Sequence, residues 1–179
     1  LFRSNVQGQL RLTAITGWNG ATILDDTYNA SPVSCLAALN LLQQLDGRKI
    51  AVLADMLELG THAEEAHVEL GRVAAKANLD GLLAFGQHAE QVIDGALDAG
   101  MHPSRLAQCD HFEILLTVLD CVLESGDVLL VKGSRSMRME RVVEWLREKA
   151  KGLGVRGQGL EMNHTATSAS NPQPLTPNP

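Results

Sequence analysis

Aromatic side chains are nearly missing from this sequence, at 3% of its 179 residues. With so few rings and a formal net charge of -6, the chain lacks the basic, aromatic-studded face of a nucleic-acid platform. No stretch approaches the roughly 18 consecutive apolar residues of a membrane span. No signal peptide is visible. The start "LFRSNVQGQL" has no Met and reads as a cut into a longer chain, with residues 1–7 expected to be a linker remnant from a preceding domain. Cys35, Cys109 and Cys121 are an odd number with no C-x-x-C spacing, which points away from a disulfide framework and from zinc. Each falls in an apolar-patterned segment, as a reduced core thiol of a cytoplasmic protein would. Two phosphate-binding signatures are also absent. Without G-x-x-x-x-G-K-[ST] the chain cannot cradle a triphosphate by itself, and without G-x-G-x-x-G after the first strand a dinucleotide oxidoreductase has little support.

What is present is the composition of a soluble globular domain, 45% hydrophobic and 20% charged, with a core of Leu, Val, Ile and Ala. "QLRLTAI" (9–15) and "ATILDD" (21–26) are extended runs, and the Asn19-Gly20 pair between them predicts an antiparallel hairpin. From Asp26 onward helix and strand alternate. Val33, Leu36, Ala37, Leu41 and Leu45 recur at helical spacing behind Ser31 as N-cap and Pro32 at the first helical position. "KIAVLA" (49–54), "GLLAF" (81–85), "RLAQC" (105–109) and "DVLLV" (127–131) read as strands separated by amphipathic helices. Strands apolar at every position are buried on both faces, as a helix-covered parallel sheet requires. The expected fold is α/β: a Rossmann-like, doubly wound, mostly parallel sheet with an N-terminal antiparallel hairpin strand, over residues 8–150. Residues 151–179, rich in Gly, Pro, Ser, Thr and Asn, are expected to be a disordered tail.

In an open α/β sheet ligands bind outside the carboxyl ends of the strands. The residues placed there are Asp25, Asp26, Tyr28 and Asn29 after the first parallel strand, and Asp55 after the second. Gly86, Gln87 and His88 follow the third, and Lys132-Gly133-Ser134-Arg135 the last. All four loops should open on one edge. The Lys132–Arg135 segment puts two cations, a flexible Gly and a hydroxyl at a helix mouth, which suits an anion, although a solvated turn has the same composition. Asp55 could equally open a turn over Met56, Leu57 and Leu59. His67 lies on the apolar face of its helix, as a packed, hydrogen-bonded histidine would. Glu58, Glu64 and Glu65 read as solvated or dipole-complementing charges, and His62 and His88 show no ligand spacing. For Asp25 and Asp26 three readings stay open: metal ligands, a nucleotide clamp with Tyr28 and Asn29, or a structural cap.

A receiver domain is the rival from another class, because "ILDD" and "LLVK" fit its first and fifth strands. Its phosphoacceptor Asp should follow strand three, yet Asp55 follows strand two and "GLLAFGQ" offers no carboxylate. A free-standing nucleotide-binding module is a third possibility.

"DDTYNASP", "AVLADMLELG" with "HVELG", and "VLLVKGSRSMRME", in this order and spacing, resemble the C-terminal domain of the Mur ligases over about 8–150. Two positions depart from the usual pattern: Ser31 stands where Asn is customary, and Ala54 where Gly is. The resemblance implies the third domain of an ATP-dependent amide ligase of peptidoglycan precursor synthesis, partnered by a UDP-sugar domain and a central P-loop ATPase. In the implied reaction ATP and Mg2+ activate the terminal carboxylate of UDP-N-acetylmuramoyl-tripeptide as an acyl phosphate. The amine of D-alanyl-D-alanine attacks and phosphate leaves. The resemblance places Asp26 at the ribose with Tyr28 and Asn29 near the nucleotide. It places Lys132, Gly133, Ser134 and Arg135, with Asp55, near the dipeptide or the reacting phosphate, Lys132 and Arg135 being the catalytic candidates. No metal ligand is assigned to this chain, which without a P-loop is expected to be inactive alone.

Overall fold

The computed structural model describes residues 12–157. The chain opens with β1 (Thr13–Thr16), which pairs antiparallel with β2 (Thr22–Asp26). The turn between them carries Asn19 at φ 58° and Gly20 at φ 75°, both left-handed, which is why Asn and Gly stand there. Trp18 of that turn and Trp145 flank the Lys149 ammonium, 4.2 and 4.7 Å from the two ring centres. The hairpin is thereby tied to the last helix.

Alternation then follows as α1 (Pro32–Gln43), β3 (Lys49–Ala54), α2 (Ala63–Lys76), β4 (Gly81–Phe85), α3 (Ala89–Asp98), β5 (Leu106–Cys109), α4 (Phe112–Val122), β6 (Val128–Lys132) and α5 (Glu140–Gly157). Ser31 caps α1 with a reciprocal box: its hydroxyl accepts the Ser34 N–H, and the Ser34 hydroxyl accepts the Ser31 N–H. Pro32 costs nothing at the first helical position, where its missing N–H would have had no partner.

The six strands lie in the order β1-β2-β6-β3-β4-β5, all parallel except β1. Successive strand residues point to opposite faces, so the uninterrupted apolar strands feed two cores. Leu24, Leu53, Leu82 and Leu130 pack beneath α1, α2 and α3. Ile23, Val52, Leu83, Leu129 and Val131 pack beneath α4 and α5. α2 and α3, which carry the chain outward from β3 through β4 to β5, lie on one face, whereas α4, which returns it to β6 between β2 and β3, and α5 lie on the other. The segments leaving β2 and β6 therefore diverge to opposite faces, which makes a crevice in the middle of the sheet edge.

One expectation is corrected, at Cys121. α5 is described to Gly157, a helix anchored by Val142, Val143 and Leu146 that propagates at one hydrogen bond per added residue. The rest of the expected tail and the 1–7 remnant lie outside the described residues. Cys121 is exposed, whereas Cys35 and Cys109 are buried. α4 packs through Leu115 and Leu119, and a residue two positions after Leu119 points away from the core. Among the described residues no helix is long and apolar enough to cross a membrane.

α2 and α3 touch backbone to backbone. A Cβ added at Gly71 would lie 2.0 Å from the Val92 carbonyl oxygen, and one at Gly95 would lie 1.9 Å from that of Val68. Gly152 in α5 has open space around it. Two glycine-to-alanine changes should therefore differ in sign. Gly95→Ala is expected to lose about 1–3 kcal/mol by overpacking, and Gly152→Ala to gain about 0.5–1 kcal/mol. Urea denaturation reads both, and a neutral Gly95→Ala would contradict the close helix contact.

Candidate functional site at the carboxyl edge of the sheet

Strand alternation separates the two adjacent carboxylates. Asp26 pairs with Lys132 in the β2–β6 register, and both side chains turn toward the α1 face. Lys132 Nζ donates to Asp26 Oδ2 at 2.6 Å and to the Asn29 carbonyl at 2.8 Å. Lys132 is 1% exposed and Asp26 5%. Two buried charges survive there because each neutralises the other and a backbone acceptor takes a further ammonium proton. The ends of β2 and β6 and the loop into α1 are thus joined at one point. The Lys132 ammonium is engaged inside the protein, beneath the edge where the sequence places it as a ligand group.

A second set of contacts ties the neighbouring loops together. Asp55, 4% exposed, accepts the N–H groups of Gln87 at 2.8 Å and His88 at 3.0 Å, an anion at the start of α3. Ser134 Oγ accepts the Leu57 N–H at 2.8 Å, and the Ser134 N–H donates to the Asp55 carbonyl at 3.1 Å. Gly133 is required between them: a Cβ there would lie 2.8 Å from both Ala54 Cβ and Met139 Cγ. His67 pins the loop after β3. The Met56 N–H donates to its Nε2 at 2.9 Å, so the ring proton sits on Nδ1 and is donated to the Ala63 carbonyl at 2.6 Å. The ring is fully buried and stacks on His88 with centres 4.5 Å apart. Burial holds its imidazole below the usual histidine value, against the opposing pull of the Ala63 carbonyl.

Asp25 points to the other face. Its Oδ1 accepts the Thr27 N–H at 3.3 Å and the Thr27 hydroxyl at 2.7 Å. With Thr27, Tyr28, Arg135, Arg138 and Glu140 it lines an open cleft of about 610 Å³. Arg135 lies over the Tyr28 ring, 5.0 Å from its centre, and Tyr28 is 47% exposed.

The predicted residues therefore fall in two tiers. Asp26, Lys132, Gly133, Ser134 and Asp55 are buried beneath the edge. Tyr28, Asn29 and Arg135 are exposed on it. Arg138 and Glu140, which the sequence reading does not single out, also line the cleft, and both stand in "KGSRSMRME". The available signal was the spacing: residues 135–137 form a 3₁₀ turn, and i, i+3 positions of such a turn share a side.

The family model of the Mur ligase, glutamate ligase domain, matches residues 10–135. The chain belongs to the Mur ligase family. It is 36% identical over 141 residues to the UDP-N-acetylmuramoyl-tripeptide–D-alanyl-D-alanine ligase of Bacillus subtilis, covering 78% of this chain and 31% of that protein. Identity to the Escherichia coli ligase of the same name is 35% over 127 residues, covering 70% and 27%. The structure of the MurF ligase from Thermotoga maritima in complex with ADP superposes with a TM-score of 0.65 at 31% identity, over 84% of this chain and 33% of that one. The chain thus spans about a third of the length of these Mur ligases. The three motifs that suggested the family are the three loops now seen stitched together at one edge.

Removing Lys132 should cost stability. Lys132→Met strands a buried carboxylate and is expected to lose about 3–5 kcal/mol in urea denaturation, much of it recovered in Asp26→Leu/Lys132→Met. A loss below about 1 kcal/mol would show that the pair is solvated. His67 supplies a pH dependence. Because its folded-state pKa is depressed, the unfolded chain binds the proton more readily. Its contribution is present above about pH 6.5 and is lost as pH falls below that value. An NMR titration should find the His67 ring neutral at pH 6.5, and a midpoint at or above 6.5 would contradict its burial as a hydrogen-bond acceptor.

Proposed function

We propose that this chain serves as the C-terminal domain of a longer cytoplasmic ligase that joins D-alanyl-D-alanine to UDP-N-acetylmuramoyl-tripeptide at the expense of ATP, in peptidoglycan precursor synthesis. The observation that carries this reading is the convergence of the "DDTYNASP", "DMLELG" and "KGSRSMRME" loops on one crevice, in a chain 36% identical to a ligase of that name. The dipeptide amine attacks the carbonyl carbon of an acyl phosphate and phosphate leaves. Such an anhydride hydrolyses readily, so a domain that closes over it and keeps water out protects the intermediate.

Within this domain Tyr28 and Asn29 face the nucleotide, and Arg135 faces the incoming dipeptide. Asp26 and Lys132 act from below by holding the Asn29 carbonyl and with it the loop that presents Tyr28. Gly133, Ser134 and Asp55 shape the segment that carries Arg135. The triphosphate belongs to a P-loop that this sequence lacks. The resemblance assigns magnesium to the same place. No step in this domain is routed through it.

The test joins this chain to the preceding two-thirds of the Bacillus subtilis relative and follows ADP release. Release should require both the UDP-linked tripeptide and D-alanyl-D-alanine, and Arg135→Ala should raise the dipeptide requirement or abolish turnover while circular dichroism stays unchanged. ADP release indifferent to the dipeptide would overturn the reading. Unchanged kinetics in Arg135→Ala would remove that loop from the dipeptide.

A further inference from the structure

The cleft on the α5 side of β2 holds charges of both signs. Two guanidinium groups, Arg135 and Arg138, and two carboxylates, Asp25 and Glu140, line its 610 Å³ together with Thr27 and the Tyr28 ring. A polyphosphate would meet two like charges in this space. A small zwitterion would find a partner for each end, and two extended residues span at most about 7 Å. The Asp25 carboxylate is oriented by the two hydrogen bonds that Thr27 gives to Oδ1.

Arg138 is the unusual member. Its backbone is left-handed, at φ 53° and ψ 44°, where it closes the 3₁₀ turn that starts at Arg135. Glycine is the residue that takes this conformation without cost, and an L side chain there pays roughly 1 kcal/mol or more. A strained non-glycine residue at a turn end points to a use for its side chain. That side chain is 69% exposed and its Nε lies 3.8 Å from Glu140 Oε1. The resemblance sets Arg135 near the dipeptide but gives Arg138, in the same "KGSRSMRME" segment, no role.

We propose that this cleft recognises the incoming dipeptide as a zwitterion. Arg138, acting with Arg135, binds the dipeptide carboxylate, and Asp25 holds the ammonium end before the amine attacks. Arg138 is then a specificity-determining residue for a free C-terminal carboxylate. The inference rests on the ligase reading above and adds to it which groups read which end of the dipeptide.

Arg138→Gly tests this cleanly, because glycine keeps the left-handed backbone and deletes only the guanidinium. In the joined ligase the dipeptide KM should rise about 10- to 100-fold, the range of a charge-assisted pair, while the ATP KM stays within about twofold. The second arm uses D-alanyl-D-alaninamide, which lacks the carboxylate charge. Amidation should penalise the unsubstituted enzyme more than Arg138→Gly, in which only the Arg135 part of the carboxylate interaction is left to lose. The urea midpoint of Arg138→Gly should equal or exceed that of the unsubstituted chain, which separates a binding defect from a folding defect. An equal amidation penalty in both enzymes would overturn the proposal. A raised ATP KM with an unchanged dipeptide KM would also overturn it, in favour of a phosphate in the cleft. An unsubstituted enzyme whose ADP release ignores the dipeptide would instead defeat the ligase reading itself.

Discussion

Lys132 Nζ sits between the Asp26 carboxylate and the Asn29 carbonyl, with almost no access to water. Taking each ion out of water costs several kcal/mol, and their attraction compensates only when the geometry is held. The strand register supplies that geometry, because Asp26 and Lys132 are direct partners at the ends of β2 and β6. The bond to Asn29 extends the constraint into the loop, two residues before Ser31 caps α1. Cys35 lies just inside this point. Burial raises its thiol to about 11, with Lys132 opposing and Asp26 adding, so it stays a neutral packing group.

Above this base the contacts change character. Asp55, Ser134 and His67 join the loops after β3, β4 and β6 through hydrogen bonds that are largely closed to solvent. Losing one partner of such a bond leaves a buried polar group unsatisfied, which costs more than the bond itself contributes. The rim is held more loosely. Arg135 on Tyr28 is an exposed cation–π contact worth about 0.5–1 kcal/mol, and Arg138 is mostly solvated. A firm floor beneath an adaptable rim leaves the rim free to adjust: the floor fixes where the rim residues start, and their side chains can still move.

Much of this was legible in one dimension. Continuous apolar runs of four to six residues, separated by helical periods, indicated the helix-covered sheet, and the rule that loops after parallel strands share an edge gathered Asp26, Asp55 and Lys132. The Ser31-Pro32 start of α1 was read correctly from its capping chemistry. Burial of Lys132 was not legible, because a lysine at a strand end looks the same whether it meets solvent or a carboxylate 106 positions earlier. The outward face of Cys121 and about the last two turns of α5 depend on which helix stripe packs and on cooperative propagation, neither of which composition reports. The left-handed backbone at Arg138 was not legible either, because nothing in the residue type announces that angle.

The adjacent carboxylates show how one strand can serve two purposes. Pleating sends Asp25 and Asp26 to opposite faces, so their mutual repulsion is relieved by distance and by different partners. Asp26 goes under α1 and meets a lysine; Asp25 goes toward α5 and meets Thr27 at the cleft. Shifting the register by one residue would exchange them, placing the cleft-facing charge beneath α1 and leaving Lys132 without its acceptor. The buried pair therefore specifies the register on which the cleft depends. This gives a reason for a salt bridge where apolar residues would pack with less desolvation: an apolar pair would leave the Asn29 carbonyl without its donor and the loop carrying Tyr28 without an anchor.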